Sequence, residues 1–339
     1  MKNVVVGLIS LFILSIVSSA SAQENPMVDS VRIFLDKSMD IIQANSINRD
    51  AVDWRALKAK VFEKAAAAQS YEEAGKIFPY IFESIGDHHG ALKLGKQSFS
   101  WNTKSIYKNR VVIDAVALHP NVEIKTVAPH IGYILIPGNS DFSGKDINRD
   151  AAAIRKSIES LGDIRSWIID LRLNTGGSMY QMLAGLASIL GEGKIGSFVN
   201  QHGHTDGEWI LKNGNVYIDS NQVSTLPKLT SSRKLKPLVV LISGRTASSG
   251  EVLAISAIGR KNTILIGENS AGYTTANEGF EVNATAGLNL AVDYDADRNG
   301  KVYKDFVRPH VFLEGGDNFN DITQDLKVIS AIKWLKRQR

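Results

Sequence analysis

Cysteine is absent from this sequence of 339 residues. Its absence excludes disulfide bonds, thiolate metal sites, thiol catalysis and lipid attachment through a cysteine. Charge of one sign does not dominate either, since the formal net charge is +4 and no lysine and arginine cluster is interleaved with aromatic residues. The chain therefore lacks the electrostatic pattern of a nucleic-acid-binding protein. With 44% apolar residues it is long enough to bury a substantial core, so we expect a globular protein held together by that core alone.

Long hydrophobic runs are confined to the amino terminus. A basic start is followed by the mostly apolar residues 4–17 and then by small residues that include Ala20 and Ala22. This pattern is typical of a secretory signal peptide, and the apolar run is short for a membrane span. The sequence thus predicts a signal peptide at residues 1–22 with cleavage after Ala22. We expect an exported protein, periplasmic or extracellular, without stable membrane insertion after cleavage.

The rest of the chain divides into three segments by its hydrophobic pattern. Residues 23–90 have helical spacing and predict a helical subdomain that ends at an Asp-x-His turn. Residues 91–130 predict a β-rich connector, with strands at 110–113 and 122–127. From residue 131 to 339 strands and helices alternate, which predicts an α/β core with buried strands. The expected core elements are strands at 131–136, 167–171, 238–242 and 263–267, helices at 151–161, 179–190, 252–259 and from 321, a β-rich excursion at 196–236 and a hairpin around Asn299 and Gly300.

Two adjacent serines, Ser248 and Ser249, lie between a predicted strand and a predicted helix. A serine in the first turn of a helix faces unpaired backbone N–H groups and the positive end of the helix dipole. These groups would stabilise an oxyanion formed beside the serine. Serine is also a favoured N-cap, so the local sequence leaves both capping and nucleophilic catalysis open.

Two further turns contain residue types that suit catalysis. Residues 170–177 read Asp-Leu-Arg-Leu-Asn-Thr-Gly-Gly, and the pair Gly176 and Gly177 would let backbone N–H groups approach a ligand closely. Residues 87–89 read Asp-His-His, which makes His88 and His89 candidate general bases. Adjacent residues point in different directions, so at most one of the two histidines is expected to face a given nucleophile. Taken alone, the glycine pair is also compatible with an ordinary strand-to-helix turn. The histidine pair is also compatible with a surface turn or a metal-binding pair.

Three other motif matches do not predict a cofactor. Residues 191–196 match Gly-x-Gly-x-x-Gly, but they follow a helix and precede a strand, which is the wrong order for dinucleotide binding. Residues 293–300 resemble a calcium loop, yet Phe306 stands where a bidentate glutamate is required, and an Asn-Gly hairpin explains them better. His202 and His204 lack a third metal ligand nearby.

Taken in order, residues 87–89, 170–177, 246–251 (Thr-Ala-Ser-Ser-Gly-Glu) and 267–272 (Gly-Glu-Asn-Ser-Ala-Gly) resemble the tail-specific, or C-terminal processing, serine peptidases. The resemblance extends from the N-terminal helices to the C-terminal helix. It implies an α/β fold whose core consists of ββα units of the ClpP and crotonase type. The segment between His89 and Ile131 is too short for the PDZ domain that many relatives carry, so none is expected.

The resemblance also implies roles for single residues. In the Thr-Ala-Ser-x-x-Glu signature the nucleophile stands three residues before Glu251, which is Ser248. The N–H groups of Ser249, Gly176 and Gly177 are the implied oxyanion hole. The implied substrates are peptides or unfolded proteins, hydrolysed through an acyl-enzyme without a metal or organic cofactor.

The base distinguishes two branches of that family. One branch uses a lysine, and the matching position here is Tyr273. The sequence therefore resembles the branch of the tricorn protease core, in which a histidine from an Asp-x-His turn is the base, and His89 fits that position. In that branch a serine precedes the histidine, where this chain has His88, and a glutamate from the late hairpin supports the network. Asp305 is the candidate for that acid here.

Two other functions remain open from the sequence. A peptide-binding relative that has lost efficient catalysis would also lack the lysine. A crotonase-like acyl-thioester enzyme would also present two backbone N–H groups to an oxyanion, although export argues against it because coenzyme A esters are cytosolic.

Overall fold

The structure is a computed structural model that describes residues 28–101, 107–138, 146–229 and 234–338. The predicted signal peptide lies outside these residues. In the first half of the chain the elements are α1 (Asp29–Asn45), α2 (Trp54–Lys64), α3 (Tyr71–Gly75), α4 (Phe78–Ser84), β1 (Ala91–Leu94), β2 (Gln97–Ser100), α5 (Arg110–Ala117), β3 (Glu123–Ala128), β4 (Ile131–Leu135), α6 (Ile147–Glu159) and β5 (Ser166–Asp170).

The second half of the chain adds the remaining strands and the C-terminal helix. Its elements are α7 (Met179–Gly185), α8 (Ala187–Leu190), β6 (Gly193–Val199), β7 (Thr205–Lys212), β8 (Asn215–Ile218), β9 (Asn221–Gln222), β10 (Leu238–Ile242), α9 (Ser249–Ala257), β11 (Thr263–Gly267), β12 (Thr275–Asn283), β13 (Ala286–Asp297), β14 (Val302–Tyr303), β15 (Val311–Phe312) and α10 (Leu326–Lys336). Within the described ranges no helix is both long and apolar enough to cross a bilayer.

Six strands form a mostly parallel sheet in the order β15-β11-β10-β5-β4-β3, in which β3 runs antiparallel to β4. Helices cover both faces, with α6, α7 and α9 on one side and α5 and α10 on the other. Side chains of a strand alternate between its faces, so Val239 and Leu241 enter one core and Val240 and Ile242 the other. Because both faces are buried, these strands are continuous apolar runs.

A second sheet has nine strands and is organised around the long strand β13. Its order is β2-β1-β13-β6-β7-β8-β9, and β12 and β14 also pair with β13. Helices α1 to α4 pack on this sheet, where Leu35 and Phe78 share one core with Leu92 of β1 and Leu288 of β13. The N-terminal helices therefore bury their apolar faces against a hairpin from the far end of the sequence.

The predicted elements of the α/β core are present, as are the N-terminal helices and the hairpin around Asn299 and Gly300. The predicted strand at 122–127 is β3, but the predicted strand at 110–113 is wrong because these residues begin helix α5. The side chain of Asn109 caps this helix by accepting from the N–H of Val112 at 3.4 Å, and Arg110 pairs with Asp114 at 2.8 Å. The cap and the i,i+4 ion pair, with burial of one helical stripe, outweigh the strand preference of the β-branched run.

The carboxyl ends of the neighbouring parallel strands β5, β10 and β11 meet at one edge of the six-stranded sheet. The hydroxyl of Thr246 donates to the carbonyl of Leu171 at 2.8 Å, and the N–H of Ala247 donates to the carbonyl of Asn174 at 2.9 Å. The N–H of Ala271 in turn donates to the carbonyl of Thr246 at 2.8 Å. These bonds join three sequence motifs into one site, since loops at the carboxyl ends of parallel strands are neighbours.

Candidate active site

Ser248 is the N-cap residue of α9 and follows the short turn after β10. Its backbone has φ +54° and ψ −118°, a left-handed conformation that costs a residue with a side chain about 1–3 kcal/mol. Glu251 in the first helical turn accepts the N–H of Ser248 at 2.8 Å, and its own N–H donates to the carbonyl of Ser248 at 2.7 Å. Such strain at a strand-to-helix turn is typical of a nucleophilic serine.

Glu251 connects the serine to the loop after β11. Besides the N–H of Ser248, its carboxylate accepts the hydroxyl of Ser270 at 2.5 Å and the N–H groups of Gly272 and Tyr273, each at 2.7 Å. Burial raises the pKa of Glu251 to about 7, against these four hydrogen bonds, which favour the charged form. Glu251 therefore fixes the position of the serine relative to residues 270–273.

A second buried carboxyl group, that of Asp295 on β13, lies near Glu251. Neither of its oxygens has a hydrogen-bond partner among the described residues. Complete burial, followed by the charges of Glu251 and Asp293, raises the pKa of Asp295 well above its ordinary value. Asp295 thus keeps its proton at a pH at which an exposed aspartate is charged.

The glycine turn after β5 lies directly against the serine. A Cβ on Gly176 would come within 3.1 Å of the Ser248 Cβ, and Gly176 and Gly177 have φ values of +111° and +126°. The N–H of Gly176 donates to the side chain of Asn174 at 3.1 Å, so we correct its expected role: Gly176 provides space rather than a free donor. The hydroxyl of Ser249 donates to the carbonyl of Gly177 and thereby attaches the turn to α9.

Two backbone donors remain beside the serine. Among the described residues, the N–H groups of Gly177 and Ser249 donate to no acceptor. One follows from the glycine turn and the other from the first residue of α9, where N–H groups have no partner within the helix. These two groups are the donors that the geometry offers to an oxyanion.

His89 is presented by a turn that Asp87 builds. One carboxylate oxygen of Asp87 accepts the N–H groups of His89 at 2.9 Å and Gly90 at 2.7 Å, and the other accepts the N–H of Ala291 on β13 at 3.1 Å. Burial raises the pKa of Asp87, while these three bonds lower it. The aspartate of the Asp-x-His motif therefore shapes the backbone at the start of β1.

The two histidines have different partners, with the ring of Tyr273 near both. Nδ1 of His89 lies 2.7 Å from Oγ1 of Thr275, whereas Nε2 of His88 lies 3.1 Å from the carbonyl oxygen of Gly272. Tyr273 packs edge-on against His89 and His88, at ring-centroid distances of 5.0 and 5.4 Å. Tyr273 thus replaces a lysine by a ring that packs against the histidines.

A cavity with a volume of about 1170 Å³ contains the predicted catalytic residues. Ser248, His89, Gly176 and Gly177 all line it, so the structure brings these predicted residues together. His88 and Tyr273 line the same cavity, which continues along β1, β12 and β13. Ser249 lies buried behind the glycine turn.

Asp305 is not part of this arrangement. It is exposed, and it lines a different cavity next to Lys301 and His310. Its backbone carbonyl accepts the hydroxyl of Thr274 at 2.7 Å. The expected role of Asp305 as the acid behind His89 is therefore corrected: the hairpin contributes a backbone anchor, and its carboxylate is directed to a different surface.

Sequence reasoning missed the residues that do contact His89 from β12. Thr275 contacts its ring, and the side-chain amide of Asn277 donates to its backbone carbonyl at 2.9 Å. Residues two apart in a strand share a face, so a threonine and an asparagine at this spacing after residues 267–272 were the available signal. No set of three or more histidine, aspartate or glutamate side chains in the described ranges is grouped to hold a metal ion.

A strained serine at a strand-to-helix turn, two backbone donors beside it and a histidine in the same cavity as the serine are the groups that a serine hydrolase site requires. The sequence signature described as Peptidase family S41 matches residues 130–311. The chain therefore belongs to peptidase family S41 and is a serine peptidase of the tail-specific type. This match favours the peptidase over the acyl-thioester alternative.

The chain is also similar to individual proteins. The nisin-resistance protein of Lactococcus lactis is 29% identical over 312 residues, which are 91% of this chain and 86% of the relative. The carboxy-terminal processing protease CtpA of Bacillus subtilis is 30% identical over 55% of this chain, but the match spans only 35% of that protease. A lipoprotein from Streptococcus agalactiae has the same fold, with a TM-score of 0.68, 22% identity and coverage of 91% of this chain and 97% of the lipoprotein.

Proposed function

We propose that this chain is an exported serine endopeptidase in which Ser248 is the nucleophile and His89 the general base. The observation that carries the proposal is the left-handed backbone of Ser248 beside the glycine turn, in a cavity that His89 also lines. The position of Tyr273 supports a histidine base, because the residue that replaces the lysine has no amine.

In the first step His89 takes the proton from the Ser248 hydroxyl while Oγ attacks the carbonyl carbon of a peptide bond. The carbonyl oxygen becomes an oxyanion, and the N–H groups of Gly177 and Ser249 donate to it. His89 then gives its proton to the amine nitrogen as the C–N bond breaks, which leaves an acyl-enzyme on Ser248.

In the second step water replaces the amine product. His89 takes a proton from the water, whose oxygen attacks the acyl carbon, and the same two N–H groups stabilise the second oxyanion. The proton returns to Ser248 as the ester bond breaks and the new carboxyl terminus leaves. Both steps balance in atoms and protons with this chain, the peptide substrate and one water molecule.

Export and substrate class rest on other observations. Residues 1–22 have the pattern of a signal peptide, and a relative named for nisin resistance covers most of the chain. Peptides outside the cytoplasm are therefore the proposed substrates, and nisin is the first candidate to test. Mass spectrometry of the protein secreted by its host checks export, since an amino terminus at Gln23 is expected.

The catalytic proposal is tested with a fluorophosphonate probe, which reacts with activated serines. We expect the wild type to be labelled at one site and Ser248→Ala to lose the label, with hydrolysis falling by about 10⁴-fold or more. Intact-protein mass spectrometry measures the label, and product analysis of nisin and denatured proteins measures hydrolysis.

The matched control is Ser256→Ala on the same helix. Ser256 is buried, and its hydroxyl donates to the carbonyl of Leu253 at 2.8 Å, away from the cavity. This variant should be labelled like the wild type. A folded wild type that takes no label at Ser248 contradicts the proposal and favours a peptide-binding relative without catalysis.

A further inference from the structure

Three hydrogen-bond contacts join His89 to two neutral side chains on β12 and form a closed ring. Nδ1 of His89 is 2.7 Å from the hydroxyl oxygen of Thr275, this hydroxyl lies 3.4 Å from Oδ1 of Asn277, and Nδ2 of Asn277 donates to the carbonyl of His89 at 2.9 Å. The ring begins and ends on one residue. No carboxylate takes part in these three contacts.

The direction of each hydrogen bond in this ring follows from the donor inventory. A backbone carbonyl only accepts, so the amide nitrogen of Asn277 faces His89 and the amide oxygen faces Thr275. An amide oxygen also only accepts, so a hydrogen bond between Thr275 and Asn277 uses the single hydroxyl proton of Thr275. The hydroxyl oxygen of Thr275 must then accept its contact with the imidazole.

The consequence concerns the tautomer of His89. If Thr275 accepts, Nδ1 of His89 carries the proton, and Nε2 of the neutral ring is unprotonated and carries a lone pair. A lone pair on Nε2 is what a general base needs to take a proton from a serine. In Ser-His-Asp triads an aspartate imposes the same tautomer.

We propose that Thr275 and Asn277 act as a neutral relay that fixes the proton of His89 on Nδ1 and so prepares Nε2 as the base. The proposal rests on the proposed function, since it assigns positioning residues to that base. Thr275 and Asn277 are positioning residues, because they act through His89.

The surrounding structure holds the relay in place. Thr274, the neighbour of Thr275, donates its hydroxyl proton to the carbonyl oxygen of Asp305 at 2.7 Å, and the carbonyl oxygen of Tyr303 lies 3.1 Å from the same hydroxyl. Thr275 pairs with Tyr294 across β12 and β13, and the edge of the Tyr273 ring packs on the imidazole. The segment with Asp305, which was expected to supply an acid, thus anchors the start of β12, the strand that carries Thr275 and Asn277.

The first experiment measures the tautomer without reference to activity. Nitrogen NMR of protein with ¹⁵N-labelled histidine, with His89 assigned by its loss in His89→Gln, should show a protonated Nδ1 at a pH where the ring is neutral. In Thr275→Val the two tautomers should both be populated, because valine keeps the shape but has no acceptor. A wild-type ring protonated on Nε2 overturns the relay.

The second experiment measures the rate of fluorophosphonate labelling. Thr275→Val should slow labelling by about 10-fold to 100-fold, a part of the 10²–10⁴-fold that a general base contributes. Thr275→Ser keeps the hydroxyl and should return the rate to within about threefold of the wild type. For hydrolysis, the loss should appear in kcat with KM nearly unchanged.

The matched control removes a threonine hydroxyl from another threonine–asparagine pair. Thr225 is exposed and accepts from the side-chain amide of Asn148 at 2.8 Å, outside the cavity. Thr225→Val should be labelled by the fluorophosphonate at the wild-type rate. Equal labelling rates for Thr275→Val and Thr225→Val would overturn the relay. If Thr275→Val fails to fold, the tautomer of His89 in the wild type and the labelling rate of Thr275→Ser test the relay instead. A wild type with the proton on Nδ1 but no label at Ser248 retains the relay and contradicts catalysis instead.

Discussion

Glu251 shows how one buried side chain ties the chemistry of the site to its stability. Four donors converge on its carboxylate from Ser248 and from the loop that carries Tyr273. Burial nevertheless raises its pKa to about 7, because removal from water penalises the charge more than the four bonds favour it. Glu251, which positions Ser248, therefore makes a contribution to the unfolding free energy that depends on pH.

The pH dependence of stability follows from the direction of that shift. Below about pH 4.5 Glu251 is protonated in both the folded and the unfolded chain, and as the pH rises towards 7 the unfolded chain releases the proton first. We expect Glu251 to lose about 3 kcal/mol of its contribution to the unfolding free energy across this interval. Glu251→Gln does not titrate. Urea unfolding at pH 5 and pH 8 should therefore show the wild type losing about 2–3 kcal/mol relative to the variant, and parallel losses would contradict the shift.

At the scale of elements, helix α10 is attached to the catalytic motif by buried charges. Arg172, from the motif after β5, is fully buried and pairs with Asp170 at 2.5 Å, Asp317 at 2.6 Å and Asp325 at 2.7 Å. Asp325 is also the N-cap of α10, accepting the N–H of Val328 at 3.0 Å. The backbone carbonyl of Arg172 accepts the hydroxyl of Ser243 in the turn before Ser248.

Removing the cap of α10 should therefore affect more than that helix. We expect Asp325→Ala to lower the unfolding free energy by about 3–5 kcal/mol, because it removes a cap and leaves a buried guanidinium without one partner. Asp321→Ala is the matched control, since Asp321 caps the preceding short turn by accepting the N–H of Thr323 at 3.0 Å but is exposed. Asp321→Ala should lower the unfolding free energy by about 1 kcal/mol or less. Urea unfolding measures both, and equal losses would show that the Arg172 cluster adds nothing.

At the scale of the whole molecule, the cavity lies between parts that are far apart in sequence. His89 follows the N-terminal helices, and Ser248 and the glycine turn come from the six-stranded sheet. Helices α1 to α4 share their core with β1, β12 and β13, so the strand of the proposed relay packs on the helices that lead to His89. The division into a helical subdomain to residue 90, a connector at 91–130 and a core at 131–339 stays a prediction, because a shared core joins the first of these segments to the last.

A substitution in that shared core tests whether these segments unfold together. Leu35 of α1 is fully buried, and Leu35→Ala should lower the unfolding free energy by about 2–5 kcal/mol. Because the core is shared, we expect a single urea transition that moves as a whole in circular dichroism and in fluorophosphonate labelling. Ile33 is 66% exposed on the same helix, and Ile33→Ala should change stability by less than about 0.5 kcal/mol. Two separate transitions for Leu35→Ala would show that the helices form an independent domain.

The sequence alone determined most elements and the motif turns. Apolar runs of five residues flanked by turns predicted β4, β5, β10 and β11, because strands buried on both faces carry no polar alternation. It also placed Ser248 at a helix start and Gly176 in a turn, since these roles depend on local backbone conformation. The strand preference of residues 110–113 was misleading, because a side-chain cap and burial of one helical stripe decided their conformation.

Only the tertiary structure decided which side chains contact His89, the proposed base. Asp305 had the expected place in the sequence, yet its carboxylate is exposed, while Thr275 and Asn277 reach His89 across β13. Likewise, the N–H of Gly176 donates to Asn174, which leaves the N–H groups of Gly177 and Ser249 as the proposed donors to the oxyanion. Local sequence fixes the type of turn in which a residue sits. Which side chains meet across two sheets depends on strand pairing and register, and these are set by packing over the whole chain.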